Sequence, residues 1–450
     1  MVSGVALLLI ILLAVVFMVF SASVLKIHPF LALLLATLLT GLVVGMSFKQ
    51  ILDAVNQGFG SLLGNIGMVV VLGSSIGVAL EKSGAAVQIA NSVVSLVGKQ
   101  KTSLAMGIIG AIVGIPVFCD SGFIILSGVA KALAKKTNGK FSSMALALAG
   151  GLYTTHVLVP PTPGPLACAG NLGLADNLGM VILIGLCTSI TSTAIAIIYG
   201  RYIWAAFDNQ PFNLEKEEPS IQEQEEKLPH ILLSFLPIFL PILLISLASF
   251  SNIFKISVHT KEVIDFIGNP LVALLCGLFT SFFLFPKWDS KYLTDIATTG
   301  ISQAGSILVL TGAGGSFGAL LKATPVADLV KNWIGEGKAE GVWILAIGYL
   351  IAALLKTAQG SSTSALIITS SILAPLAGTL GLDTPFELSL LVMSIGGGAM
   401  TVSHANDSYF WVVVQFGNFQ LKEGYQGLTL MTLLQGATIL LTSVIMYMLL

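Results

Sequence analysis

Five titratable side chains lie within apolar stretches of this 450-residue chain, at positions where a charge needs a reason. The first is Asp120, within GIPVFCDSGFIIL (Gly114–Leu126). A charged side chain at bilayer depth costs about 2.5–3.5 kcal/mol even on the lenient insertion scale, so it marks a functional site by default. Pro116 and Gly122 flank Asp120 and predict a helix break. Backbone broken at membrane depth is tolerated only where protein buries it or a wet cavity meets it. Asp120 is thus a candidate proton-carrying carboxyl, with Ser121 and Gly122 as substrate-binding candidates beside it. The competing reading is that Asp120 simply caps the helix that follows.

Lys356 opens the second such stretch, KTAQGSSTS (Lys356–Ser364). A lysine near a membrane surface can snorkel, because its long stem reaches water within a turn or two. The alternative makes Lys356 the cation that compensates an anionic substrate or Asp120. The run Gln359, Gly360, Ser361, Ser362, Thr363 carries more hydroxyls and amides than helix packing requires, and donors beside a helix N-terminus suit a carboxylate or a polyol.

His156 precedes VLVPPTPGP (Val157–Pro165), whose prolines predict an unwound stretch. In the second half SHANDSYF (Ser403–Phe410) groups His404, Asn406 and Asp407 in another Gly-flanked apolar region. A lone membrane histidine is commonly a packing residue; two at matching breaks favour function. His156, His404 and Asn406 are substrate-binding candidates. His156, His404 and Asp407 join Asp120 as proton-coupling candidates, and whether Asp407 faces the site or water stays open.

Composition says what must position these groups. The chain is 55% hydrophobic and 10% charged, with mean hydropathy +0.94, the profile of an all-α integral membrane protein. Val5–Val24 carries no charge over about 20 residues, enough to cross a bilayer. Continuous rather than alternating apolar runs exclude a transmembrane β-barrel, and a net charge of −1 offers nothing to nucleic acid. The four cysteines show no metal or redox spacing, and no cofactor is expected. Nor is there a nucleophile, base and metal set of recognisable spacing, so an enzyme is the weakest reading. An ion channel is disfavoured by two opposed hairpins, which place a barrier on each side of one site.

About ten transmembrane helices and two re-entrant hairpins are expected. The hairpins are predicted at about 102–136 and 339–376, with polar tips at Asp120–Gly122 and Gln359–Ser362, because these apolar stretches are too long for single spans. An acidic, proline-bearing linker at 208–229 divides the chain into repeats 1–207 and 230–450. GSSIGVALEK (Gly73–Lys82) resembles GGSFGALLKA (Gly314–Ala323), and GGLYTTH (Gly150–His156) resembles GGAMTVSH (Gly397–His404), in the same order. Such internal similarity marks inverted-repeat transporters. With both termini outside, 14 basic residues fall in cytoplasmic loops and 6 outside, as the positive-inside rule prefers.

GIPVFCDSGFIIL, THVLVPPTPGP, KTAQGSSTSALI and GGGAMTVSHANDSYFW (Gly396–Trp411) together resemble the gluconate permeases, or gluconate:proton symporters, and the resemblance covers essentially the whole chain. It implies a secondary transporter in a bacterial inner membrane that takes up gluconate or a related small anionic hydroxy acid with protons. Some members of that family take D-serine instead, and the residues leave Na⁺ open as the coupling ion. Relatives in the wider group of ion-coupled carboxylate transporters carry paired re-entrant hairpins and a moving transport domain. A homo-oligomer is compatible with this reading.

Overall fold

The computed structural model describes residues 2, 4–98, 101–137, 139–204, 228–249, 258–285, 289–326, 338–405 and 407–449. Among them there are helices and no strands. The first half comprises α1 (Val5–Ser23), α2 (Pro29–Val44), α3 (Phe48–Lys82), α4 (Ala85–Val97), α5 (Thr102–Val113), α6 (Cys119–Thr137), α7 (Phe141–Leu158), α8 (Pro163–Asn171) and α9 (Leu178–Ile198). The second comprises α10 (Ile231–Ser249), α11 (Val258–Ile267), α12 (Pro270–Ser281), α13 (Ser290–Lys322), α14 (Lys338–Gln359), α15 (Ser362–Leu373), α16 (Pro385–Met400), α17 (Ser408–Phe416) and α18 (Leu430–Met448). All of the predicted linker except residues 228–229 lies outside the described residues.

Local chemistry sets several of the helix starts. Ser47 and Gln50 form a reciprocal capping box at α3, and Thr384 and Glu387 do the same at α16. Pro29, Pro270 and Pro385 open α2, α12 and α16, where a missing N–H is harmless. Seven described helices are long and apolar enough to cross a membrane, or eight when the pair α11–α12, bent by 58°, is counted as one span. The chain is therefore a multi-span membrane protein. The difference from the ten expected crossings lies in shorter apolar helices such as α2 and α16, of 16 residues each.

The first of the two predicted polar tips sits differently from expectation, and the second falls where it was expected. The first break occupies residues 114–118, so Asp120 lies in the first turn of α6 rather than at the tip or in the N-cap position. Pro116 and Gly114 end the helix earlier than the polar residues suggested. The second break is narrower and falls at Gly360 and Ser361, where Gly360 takes a left-handed φ of 77°. With 12 residues, α5 rises about 18 Å, well short of a hydrocarbon core of about 30 Å. The proline stretch is also less unwound than predicted. Only residues 159–162 leave the helix, and Pro163 and Pro165 lie in the first turn of α8.

The two longest helices, α3 and α13, are the ones whose ends carry the matching sequences, and they run antiparallel. Gly58 faces Gly315, Ser75 faces Gly300, and Lys82 Nζ reaches Asp295 Oδ2 at 2.5 Å. At the Gly58–Gly315 crossing a Cβ on either residue would strike the other's carbonyl, which is why both are glycine. Along another face of α3, residues four apart reach the first two breaks, Gly73 packing on Pro161 and Gly77 on the carbonyl of Pro116, and one turn further Glu81 lies beside Ser121 of α6. The largest buried apolar cluster draws on both halves, from Ala14 to Tyr447.

This packing is directly testable. Gly77→Ala drives a Cβ into the Pro116 carbonyl and is expected to destabilise the folded protein by about 1–3 kcal/mol. Gly64→Ala, on the same helix with no atom within 4 Å of the added Cβ, should leave the thermal unfolding temperature in detergent unchanged or raise it. Equal midpoints for the two variants would contradict this close approach.

Candidate functional site

Four interruptions of the helical backbone meet at one place: residues 114–118, 159–162, 360–361, and 401–405 with 407. Side-chain contacts join them. The Phe118 ring lies 5.5 Å from that of His156, linking the first break to the end of α7. Gly164, at the start of α8, packs against Thr363 and Leu366 of α15. His404 Nε2 lies 2.9 Å from the carbonyl oxygen of Thr357, tying the fourth break to the end of α14. Tyr153 and Ser362 share a hydrogen bond of 2.6 Å between hydroxyls, tying α7 to the start of α15. Four helices, α6, α8, α15 and α17, begin at these breaks, so four positive helix ends are gathered here.

At the centre is Lys356, 1% exposed, which excludes the snorkelling alternative. Its Nζ lies 2.6 Å from Asp407 Oδ2 and donates to the carbonyl oxygen of Gly360 at 2.9 Å. The ammonium also stands 5.6 Å from the centre of the Tyr153 ring, at cation–π distance. The protein partner of Lys356 is therefore Asp407, not the Asp120 named as a candidate from sequence. Asp407 faces inward, 4% exposed. Its Oδ2 accepts from Ser403 Oγ at 2.5 Å, and its Oδ1 accepts from the Tyr409 N–H at 3.1 Å, capping α17.

Around this pair are groups with unmet hydrogen-bonding capacity. Asp120 Oδ1, His156 Nδ1 and both amide atoms of Gln359 are buried and have no hydrogen-bond partner. Asp120 and His156 each lie within electrostatic reach of both Lys356 and Asp407. Unmet buried polar atoms are costly in a protein interior, and their gathering at one place needs an explanation. A polar ligand is one.

Other predicted residues serve the architecture. Ser361 caps α15 by accepting from the Ser364 N–H, Gly360 supplies the turn and the carbonyl for Lys356, and Gly122 packs against Leu152. Ser121 lies beside Glu81. Thr363 is half-buried at the α8 contact. Asn406 lies outside the described residues. Sequence reasoning missed Tyr153, Ser403, Tyr409 and Glu81. Tyr153 had a signal, since it precedes His156 by three residues and so shares its helix face. Tyr409 donates from its hydroxyl to the carbonyl oxygen of Ala149 and packs on Tyr153 at 4.9 Å, holding α17 against α7.

A separate cavity, lined only by apolar residues including Val69, Ile115, Pro160, Pro237 and Leu274, lies behind the first two breaks, against α10. It offers nothing to a hydroxylated anion.

The profile of the GntP family permeases matches residues 6–449 of the chain. The chain belongs to this family. Among its relatives, the gluconate permease of Pseudomonas aeruginosa is 30% identical, the match covering 90% of each chain. The D-serine transporter DsdX of Escherichia coli K12 is 28% identical, with 94% of each chain covered. In three dimensions the GntP-family chain is similar to MtrF of Neisseria gonorrhoeae, described as illuminating a class of antimetabolite efflux pumps. The TM-score is 0.68, with 14% identity and coverage of 95% of this chain and 96% of that one, a likeness of fold. The permease is thus a transporter and not an enzyme.

Removing one member of a buried ion pair strands the other, at a cost of about 3–5 kcal/mol, whereas replacing both by apolar groups is often close to neutral. In this permease Asp407→Leu, which strands a nearly fully buried ammonium, is expected to lower stability by that amount, Lys356→Met by less because Asp407 keeps the Ser403 hydroxyl and the Tyr409 N–H, and the double variant by much less than Asp407→Leu. A double-mutant cycle on thermal or denaturant unfolding in detergent checks it. Additive losses would mean that the two side chains are not coupled.

Proposed function

We propose that this permease takes up gluconate or a closely related sugar acid together with a proton, by alternating access to the site around Lys356. The observation that carries the reading is a desolvated ammonium at the meeting point of four helix N-termini, beside unpaired amide, imidazole and carboxyl atoms. An anion is favoured by the ammonium and the helix ends. A chain of hydroxyls is favoured by Gln359, which offers two donors and an acceptor, and by the Tyr153 and Ser362 hydroxyls. D-serine, a small carboxylate with one hydroxyl, is the second reading, prompted by the relative that transports it.

Asp120 is the proposed proton carrier. Two unit negative charges about 5 Å apart repel by roughly 3 kcal/mol at an effective dielectric near 20, so an ionised Asp120 opposes an anionic substrate. Protonation removes the conflict, and by linkage a bound proton and a bound substrate then favour each other. One proton and one monoanion crossing together move no net charge. His156 and His404 are the next candidates for the proton, and Na⁺ is the alternative coupling ion. The antiparallel run of α3 and α13 supports two inverted halves with hairpins opening to opposite faces, and the excess of basic residues in the loops assigned to the cytoplasm supports termini outside.

Uptake into proteoliposomes under an imposed pH gradient tests the reading. Wild-type protein is expected to concentrate gluconate above equilibrium and to lose this on addition of a proton uncoupler. Asp120→Asn should still exchange substrate across the membrane, with little pH dependence, yet fail to accumulate it. Accumulation by Asp120→Asn under the same gradient would remove Asp120 as the carrier.

A further inference from the structure

We infer that Asp407 occupies the place of the substrate's carboxylate on Lys356, and that substrate binds by exchanging with it. The inference rests on the proposed carboxylate substrate and concerns how its anchoring cation is kept. Lys356 Nζ has one carboxylate partner, Asp407 at 2.6 Å, one carbonyl partner, Gly360 at 2.9 Å, and the Tyr153 ring 5.6 Å away. An ammonium neutralised in this way has little attraction left for a second anion. A substrate carboxylate gains the full interaction only by taking the place of the first.

The geometry lets Asp407 give way at low cost. Without Lys356 it keeps two other donors, the Ser403 hydroxyl on Oδ2 and the Tyr409 N–H on Oδ1, and it keeps its position at the N-terminus of the nine-residue helix α17. Ser403 is held in turn, its N–H by Thr432 at 3.1 Å and its carbonyl oxygen by Thr429 at 2.5 Å. Lys356 is far more dependent: without Asp407 its contacts are a carbonyl oxygen and an aromatic face, and it is 1% exposed. The pair is therefore asymmetric, with a cation that must have an anion and an anion that can manage without the cation. The unpaired Gln359 lies three residues along α14, the unpaired atoms of Asp120 and His156 lie within electrostatic reach of the same ammonium, and these groups offer partners for the rest of the ligand. An ion pair kept for stability would not need this surround, since buried pairs contribute little over apolar replacements.

The exchange has a mechanistic use. With Asp407 on Lys356 when no substrate is bound, the site turns across the membrane without a stranded cation. With substrate on Lys356, Asp407 is held by α17. The ammonium is compensated in both halves of the cycle.

The test is ligand binding to purified full-length protein in detergent, by calorimetry, with gluconate and with its neutral analogue glucitol. Asp407→Asn removes the competitor and is expected to tighten gluconate at least about tenfold while leaving glucitol unchanged. Equal or weaker gluconate binding by folded Asp407→Asn would overturn the exchange. Should the variant prove too unstable to titrate, acetate is expected to restore its unfolding temperature toward the wild-type value and acetamide is not. No rescue by acetate would equally overturn the proposal. The substrate reading fails separately: wild-type protein that binds neither gluconate nor D-serine contradicts that class, while acetate rescue of Asp407→Asn would still support the exchange.

Discussion

An ammonium removed from water needs a counter-charge, and the structure around Lys356 follows from that requirement. Leaving a unit charge unpaired in a protein interior costs several kcal/mol after all relaxation. Lys356 therefore fixes where Asp407 must be, and Asp407 fixes the fourth break, since its carboxylate caps α17 while reaching back to α14. The Gly360 carbonyl, turned toward the ammonium by a left-handed φ, fixes the second hairpin. A single cation thus ties two of the four breaks, and His404, bonded to the Thr357 carbonyl, adds a second tie between the same two.

Breaking helices at depth exposes backbone groups, and the fold answers by closing protein around them. Gly73 and Gly77 let α3 lie directly on the Pro161 and Pro116 segments, and α3 is held by α13 through the Gly58–Gly315 contact and the Lys82–Asp295 pair. Behind the site, Gln435 donates to the Gly150 carbonyl and the Thr154 hydroxyl at 3.2 and 2.8 Å, which joins α18 to α7. The helices that start at these breaks bring their positive ends together at the site. The same feature that strains a membrane fold makes it receptive to an anion.

Much of this was legible in the chain, because membrane-depth charge and broken helices are both visible as residue types. Asp120, His156, Lys356, Gln359 and Asp407 stand out from apolar surroundings, and all five border one site. What was not legible is which charge pairs with which. Lys356 and Asp407 are 51 residues apart with two α-helices, α15 and α16, between them, and no local pattern distinguishes Asp407 from Asp120 as the partner. The first break differs from expectation for a related reason. At that hairpin the polar residues predict the tip, whereas Gly114 and Pro116 stop α5 and leave Asp120 free to enter the next helix. At the second histidine the Gly-flanked pattern was informative, since the neighbouring Asp407 supplies both a cap and a counter-ion. Tyr153, Ser403 and Tyr409 look like ordinary membrane-helix residues until the fold brings them to the ion pair.

The central claim is that substrate is held by Lys356 where the four breaks meet. A structure determined by cryo-electron microscopy in saturating gluconate tests it most directly. The account predicts ligand density within hydrogen-bonding distance of Lys356 Nζ and Gln359, with the substrate carboxylate at the position that Asp407 Oδ2 holds here. Density elsewhere, with the Lys356–Asp407 pair intact and Gln359 still unpaired, would contradict it.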